Sequence, residues 1–127
     1  MDITIYYEDT DSTGIVYHAN YLRYCDRARS RYFFDNNIDL ESNNGYLTIH
    51  SLKCKYIAPA KLGDKLIVES IITMLKKTSI EIKHLILLKN EPIFEMNIKM
   101  LYVVNMKPSI FPIPMLDMFK TILKDSK

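Results

Sequence analysis

Two cysteines, a charge surplus of only +2 and the lack of any long apolar run set the first limits on this 127-residue chain. Cys25 and Cys54 fall in otherwise apolar segments, without the paired spacing of a zinc or redox motif and far below the density of a disulfide scaffold. They are expected to be reduced thiols in the cytoplasm. Seventeen Lys and Arg against fifteen Asp and Glu leave too small an excess to attract nucleic acid or a membrane surface by bulk charge, so any basic patch must be local. No stretch reaches the roughly 18 apolar residues that a spanning helix needs. The acidic Asp2, Glu8, Asp9 and Asp11 stand where a secretory signal would carry basic residues and then an apolar core. A cytoplasmic protein with no nucleic-acid partner and no membrane insertion is expected.

What is present is the composition of an ordinary globule, 48% hydrophobic and 25% charged, in a length that suits one domain over residues 1–127. Residues 3–7 form a short β-branched and aromatic run that reads as a strand and stops at a polar cluster, residues 8–14. From Tyr17 onward, Tyr17, Tyr21, Tyr24, Cys25, Ala28 and Tyr32 recur at steps of three or four, predicting one amphipathic helix that ends near Asn36-Asn37. The period then changes to two. Ile80, Ile82, His84, Ile86 and Leu88 alternate, as do Phe94, Met96, Ile98, Met100, Tyr102 and Val104, with a turn at Asn90-Glu91-Pro92 between them. Residues 46–58 and 66–75 are also extended in character. Pro112 and Pro114 then introduce a short helix with Met115, Phe119 and Ile122 on one side. Strand, long helix, four strands without intervening helices and a short helix make an α+β class with an antiparallel sheet against the long helix. Such a sheet has an open edge, and pairing with a second copy is the simplest protection for it.

The densest chemistry lies in residues 7–18, between the first strand and the long helix. A helix N-terminus offers unpaired N–H groups that can polarise a carbonyl, and a loop Asp can face the same carbonyl from the other side. Three other readings stand beside this one. Asp9, Asp11 and Ser12 have the residue types of turns and N-caps. Asp9-Thr10-Asp11-Ser12-Thr13 also spells the Asp-x-Asp-x-Thr string of aspartate phosphatases, although that chemistry looks for a parallel sheet with alternating helices. A metal site is weaker, because His18, His50 and His84 lack close ligand spacing and His84 lies on the apolar face of its strand.

The run from Tyr7 to Tyr21, with Asp9, Thr10, Asp11, Gly14, Val16, Tyr17, His18 and Asn20 in place, resembles the signature of hot-dog-fold acyl-CoA thioesterases of the 4-hydroxybenzoyl-CoA thioesterase type. Within that type it is most similar to the tol-pal-associated branch. Arg27-Ala28-Arg29, Tyr56, Pro59-Ala60, Gly63-Asp64 and Pro112-Ile113-Pro114 extend the resemblance over nearly the whole chain. It implies a sheet wrapped around one central helix and hydrolysis of an acyl-CoA thioester without a cofactor, CoA being part of the substrate. It further implies that Asp11 is the catalytic carboxylate, as general base or nucleophile, and that Asp9 is structural. The backbone N–H of His18 would face the thioester carbonyl, while the Tyr7 and His18 side chains would position substrate or water. Gly14, Val16, Tyr17 and Asn20 line the substrate site in this reading, and Lys76, Lys77 and Thr78 lie near the CoA arm, in a site completed by a neighbouring subunit of a homodimer or homotetramer. Another hot-dog branch carries a Glu on the central helix, where this chain has only Asp26. Ser12-Thr13 departs from the smaller residues common before Gly14. A module that binds acyl groups or CoA without turnover would share the same fold.

Overall fold

Alternation at every second residue is what joins the second half of the chain into hairpins. In the computed structural model, which describes residues 1–40 and 44–125, β3 (Lys65–Leu75), β4 (Ser79–Leu88) and β5 (Glu91–Val104) follow one another as antiparallel neighbours. Register puts Ile80 opposite Met100, Ile82 opposite Ile98, His84 opposite Met96 and Ile86 opposite Phe94, and all eight side chains are buried. One face of the sheet is therefore a continuous apolar floor. The β4–β5 turn uses Lys89 and Asn90, both at positive φ, the backbone shape that matches the twist of a tight hairpin.

β1 (Asp2–Thr4) pairs with β3 at one side, and β2 (Gly45–Tyr56) pairs with β5 at the other, giving the order β1-β3-β4-β5-β2. A short β6 (Lys107–Pro108) returns onto the end of β5. Strand β2 is thus a long edge. It holds Tyr46, Ile49, Leu52 and Tyr56 half exposed.

The long helix α1 (Asn20–Asp35) buries Tyr21, Tyr24, Cys25, Ala28, Arg29 and Phe33, the face that the three-to-four spacing requires. α2 (Ile113–Asp125) buries Met115, Phe119 and Ile122 and sets Phe119 against Phe33 and Phe111, with ring centroids 5.7 and 5.3 Å apart. Among the described residues no helix is long and apolar enough to cross a membrane. Both cysteines are free thiols, and burial pushes that of Cys25 up to about 12.

Two boundaries and one short strand differ from the sequence reading. The first strand ends at Thr4, and Tyr7–Asp9 form a 3₁₀ turn, because the Asp9 carboxylate accepts the Tyr6 N–H at 2.8 Å and bends the chain before Tyr7 can extend it. The helix begins at Asn20 rather than Tyr17, since the Tyr17 amide is drawn to the Asp9 carbonyl at 2.9 Å. The two-residue β6 carries no alternation of its own to be read.

Along the middle of α1, Arg29, His84 and Ser70 form one polar chain. Arg29, 4% exposed, places one guanidinium nitrogen 3.1 Å from Nε2 of His84 and donates from another to Asp26 at 2.5 Å. Guanidinium can only donate, so Nε2 accepts and Nδ1 carries the hydrogen that reaches Ser70 Oγ at 2.8 Å. Burial, reinforced by the Arg29 charge, pushes His84 down to about 3. The unfolded chain, with its histidine near the ordinary 6.5, therefore binds a proton that the folded chain refuses. Stability is full above that value and falls as pH drops from 6.5 toward 3, by up to about 1.4 kcal/mol per unit. Denaturant midpoints measured along this range should show a flatter acid limb in His84→Gln, which keeps an acceptor and a donor but cannot take the proton; identical slopes would mean that other groups set the acid limb.

Candidate active site

Residues 7–18 fold into a bracket closed by paired backbone contacts. Thr10 bridges to Val16 and Ile15 to Lys61, Asp11 N–H donates to Ile15 O at 2.9 Å, and Val16 N–H donates to Ala60 O at 2.9 Å. Gly14 sits at φ +85 with open space where a Cβ would be, so glycine is required there for its backbone shape and not for want of room. The Asp9 carbonyl accepts both the Tyr17 N–H and the Asn20 side-chain amide, each at 2.9 Å. This contact fastens the bracket to the start of α1.

At the tip, Asp11 is exposed and its Oδ1 accepts the Thr13 N–H at 2.8 Å and the Thr13 hydroxyl at 2.5 Å. These two bonds, the hydroxyl first, hold the Asp11 carboxyl below its ordinary value, with a smaller contribution from His18. The Ile15 backbone adds a further favourable contact to the ionised carboxyl. Across the bracket, the Tyr17 and Asn20 amides have acceptors, whereas the His18 N–H has none among the described residues. Ala19 precedes the helix and supplies no capping side chain, leaving the positive end of α1 open. The Tyr56 hydroxyl donates to the His18 carbonyl at 2.8 Å, and the Tyr17 carbonyl, which shares its peptide with the His18 N–H, accepts the Asn20 N–H at 2.9 Å, so that peptide is held in place. Tyr56 is itself packed edge-on against Tyr21 and Phe94. An ionised carboxylate and a free N–H on a fixed peptide are the two groups that acyl transfer needs on opposite sides of a carbonyl.

The remaining candidates divide between tip and base. Tyr7 is 81% exposed in the 3₁₀ turn, and Tyr17 is 47% exposed with its ring 4.4 Å from that of His18. Val16 and Asn20 are buried, so their side chains support the bracket from below. Lys76, Lys77 and Thr78 lie in the β3–β4 turn, where Lys77 O accepts the Phe111 N–H and Thr78 O the Tyr102 N–H. The eleven residues of β3 separate that turn from the Asp64–Ile5 contact beside the bracket, roughly 30 Å along the strand. Within one chain the lysines and Asp11 do not meet.

Thr13 is the residue that sequence reasoning undervalues, since there it stands as a departure from relatives and as the end of the Asp-x-Asp-x-Thr string, with no part in holding Asp11. The available signal is Asp-x-Thr itself, because an Asp whose side chain turns back to the amide two residues on is a recurrent local motif. Asp11 does make a turn contact, but neither it nor Ser12 caps α1. The antiparallel sheet also lacks the parallel strands that an aspartate phosphatase would require.

Comparison with known proteins bears on the family and the fold. Residues 13–92 match the model of the thioesterase superfamily. The chain is 49% identical to the acyl-CoA thioesterase YbgC of Helicobacter pylori over 77 residues, 61% of this chain but only 58% of that protein's length. It is 33% identical over 116 residues to the YbgC acyl-CoA thioesterase of Haemophilus influenzae, covering 87% of this chain and 85% of that one. The crystal structure of a thioesterase complexed with coenzyme A and Zn from Thermus thermophilus superposes with a TM-score of 0.86 at 23% identity, over 98% and 93% of the two chains. That likeness carries the fold, a curled antiparallel sheet around a long helix, which is the hot-dog arrangement. The family model covers well over half of the chain, and this protein belongs to the thioesterase superfamily.

Proposed function

We propose that this protein hydrolyses acyl-CoA thioesters, with Asp11 and the His18 N–H as the reacting pair. The observation that carries the reading is the exposed Asp11 carboxylate, locked through one oxygen by Thr13, beside an unbonded amide at the open end of α1. The acyl-CoA thioesterases of H. pylori and H. influenzae that the chain resembles support the substrate class. With the thioester oxygen on the His18 N–H, either of two routes uses the Asp11 carboxylate. It takes a proton from water as that water adds to the carbonyl carbon, and returns it to the departing CoA thiolate. Alternatively, it adds to the carbon itself, expels the thiolate and leaves a mixed anhydride that water cleaves. Neither route calls for a metal or a cofactor beyond the CoA of the substrate. A groove of about 230 Å³ between α1 and β2, floored by Leu22, Ile49, Leu52 and Met96, starts one helical turn from His18 and suits the acyl arm.

The β2 edge completes the proposal. Antiparallel pairing of two β2 strands sets the Tyr56 end of one copy beside the Gly45 end of the other, the end at which the Lys76-Lys77 turn lies. The partner's lysines then share a side of the assembly with Asp11 and can meet the CoA phosphates.

Asp11→Asn keeps the shape and most hydrogen bonds but removes the charge, and should lower kcat by roughly 10² to 10⁴ with little change in folding, as read from thiol release. Turnover within a few-fold of the parent would remove Asp11 from the chemistry. Thr13→Val deletes the contact that most strongly favours ionised Asp11, so its carboxyl should titrate higher and the acid limb of kcat/KM should move to higher pH. Thr13→Ser should leave the limb in place, and an unmoved limb in the Val variant would show that Asp11 ionisation does not govern it. Reversing the charge of Lys76 and Lys77 should raise KM for acyl-CoA about tenfold while sparing a short thioester that lacks the nucleotide; equal effects on both substrates would return the lysines to the solvated surface.

A further inference from the structure

The groove between α1 and β2 is interrupted part-way along. Its first part, of about 230 Å³, is bounded by Leu22, Ile49, Leu52 and Met96 and ends at Asp26 and Arg29. The same two side chains border a second cavity of about 140 Å³, lined by Phe33, Leu40, Leu47 and Met100. The two spaces lie in line because β2 runs against α1. Tyr56 meets Tyr21 at the start of the helix with ring centroids 5.6 Å apart, Leu52 and Ile49 follow beside Leu22, and Leu47 stands with Phe33 near the helix end. One ion pair thus separates two apolar compartments of a single trench.

That partition is held from behind. Arg29 is buried, donates to Asp26 at 2.5 Å and places another guanidinium nitrogen 3.1 Å from His84 Nε2, while His84 is anchored to Ser70. An alkyl chain pushed past it would have to part a buried cation from its anion, or take water from the Asp26 carboxylate, whose side chain is 69% exposed. Either costs far more than a methylene gains by burial. The position of the partition then sets a length. Asp26 lies six residues into α1 from Asn20, roughly 9 Å along the helix axis, and an extended alkyl chain advances about 1.2 Å per bond, a third of the reach of one extended residue. About eight carbons span that distance. The first space gives the same figure, since 230 Å³ holds about eight methylenes at roughly 30 Å³ each, a methylene being close to a water molecule in size.

We propose that the Asp26–Arg29 pair is a specificity-determining stop for the acyl group, so that the protein works on straight-chain acyl-CoA of about eight carbons or fewer. The thioester carbon sits at the His18 N–H, the chain runs along Leu22 and Leu52, and the terminal methyl meets the pair. The second cavity stays out of reach of the substrate. This inference deepens the thioesterase reading and rests on it, and its test separates the two.

Thiol release should be measured from butanoyl-, octanoyl-, dodecanoyl- and hexadecanoyl-CoA for the parent, Asp26→Ala/Arg29→Met, Ile49→Phe and Leu47→Phe, with the thermal unfolding of each. In the parent, kcat/KM should rise to octanoyl-CoA and fall about tenfold or more by dodecanoyl-CoA. The double variant exchanges the pair for apolar groups, a replacement that ion pairs away from water tolerate, and should bring dodecanoyl-CoA to within a few-fold of octanoyl-CoA. Leu47→Phe, beyond the pair, should leave the parent profile as it is but cancel the gain when added to the double variant. Ile49→Phe, in front of the pair, should move the peak to butanoyl-CoA, and it decides the matter if the double variant does not fold. A parent profile that keeps rising to hexadecanoyl-CoA, a folded double variant with the parent's profile, or an unmoved peak in Ile49→Phe would each overturn the proposal. If the parent releases no thiol from any of the four, the thioesterase reading fails by itself, and affinities for the matching S-alkyl-CoA thioethers decide the stop: a break after the octyl chain upholds it and a steady rise overturns it.

Discussion

One backbone oxygen, the carbonyl of Asp9, holds the candidate site together. It accepts from the Tyr17 amide and from the Asn20 side chain, and by doing so turns a polar loop back onto the start of a helix that it would otherwise only precede. Asn20 is buried to make that contact, which a polar side chain tolerates only when its hydrogen bonds are met. Everything at the tip follows from it. The Thr10–Val16 bridge, the turn at Gly14 and the Asp11 contact with Thr13 are local solutions to a bracket whose two ends are already fixed.

Much of the architecture was legible in the residues because burial leaves a periodic trace. His84 is the clearest instance, a polar residue in an otherwise apolar alternation, expected in the core and found there fully buried with both ring nitrogens engaged. The start of α1 was less legible. Tyr17 has the helical spacing of Tyr21 and Tyr24, but its amide bonds to a residue eight positions back, and no pattern of side chains along the chain reports a backbone contact of that kind. The same limit applies to Tyr7, whose 3₁₀ turn replaces the end of a strand that composition favoured. Asp11 was singled out by resemblance, whereas its fastening by Thr13 is visible only once the turn is formed.

The two polar systems of the protein differ in what surrounds them. Beneath α1, Arg29 and His84 are buried and bonded to each other, with half-buried Ser70 at one end of the chain and exposed Asp26 at the other, and the chain joins helix to sheet. At the bracket, the acidic group is exposed, and the His18 amide has no acceptor among the described residues. A buried network that is complete favours a single structure, while an incomplete one at the surface retains capacity for a ligand. The sequence places these systems on one helix, the first along its length and the second at its open end, so the rigidity of the first is passed to the second.

Ala60 shows how little slack that arrangement leaves. Fully buried, it gives its N–H to Tyr21 OH and its carbonyl to the Val16 N–H. Within the same short crossover Ile57 and Ala58 donate to Ile93 O, Lys61 bridges to Ile15, and Gly63 and Asp64 exchange bonds with Ile5. Residues 57–64 therefore act as a spacer of set length between the edge strand and the bracket. Adding or removing one residue there would shift the bracket against the helix end, so in descendants of this sequence drift should accumulate as substitutions and not as changes in the length of that crossover.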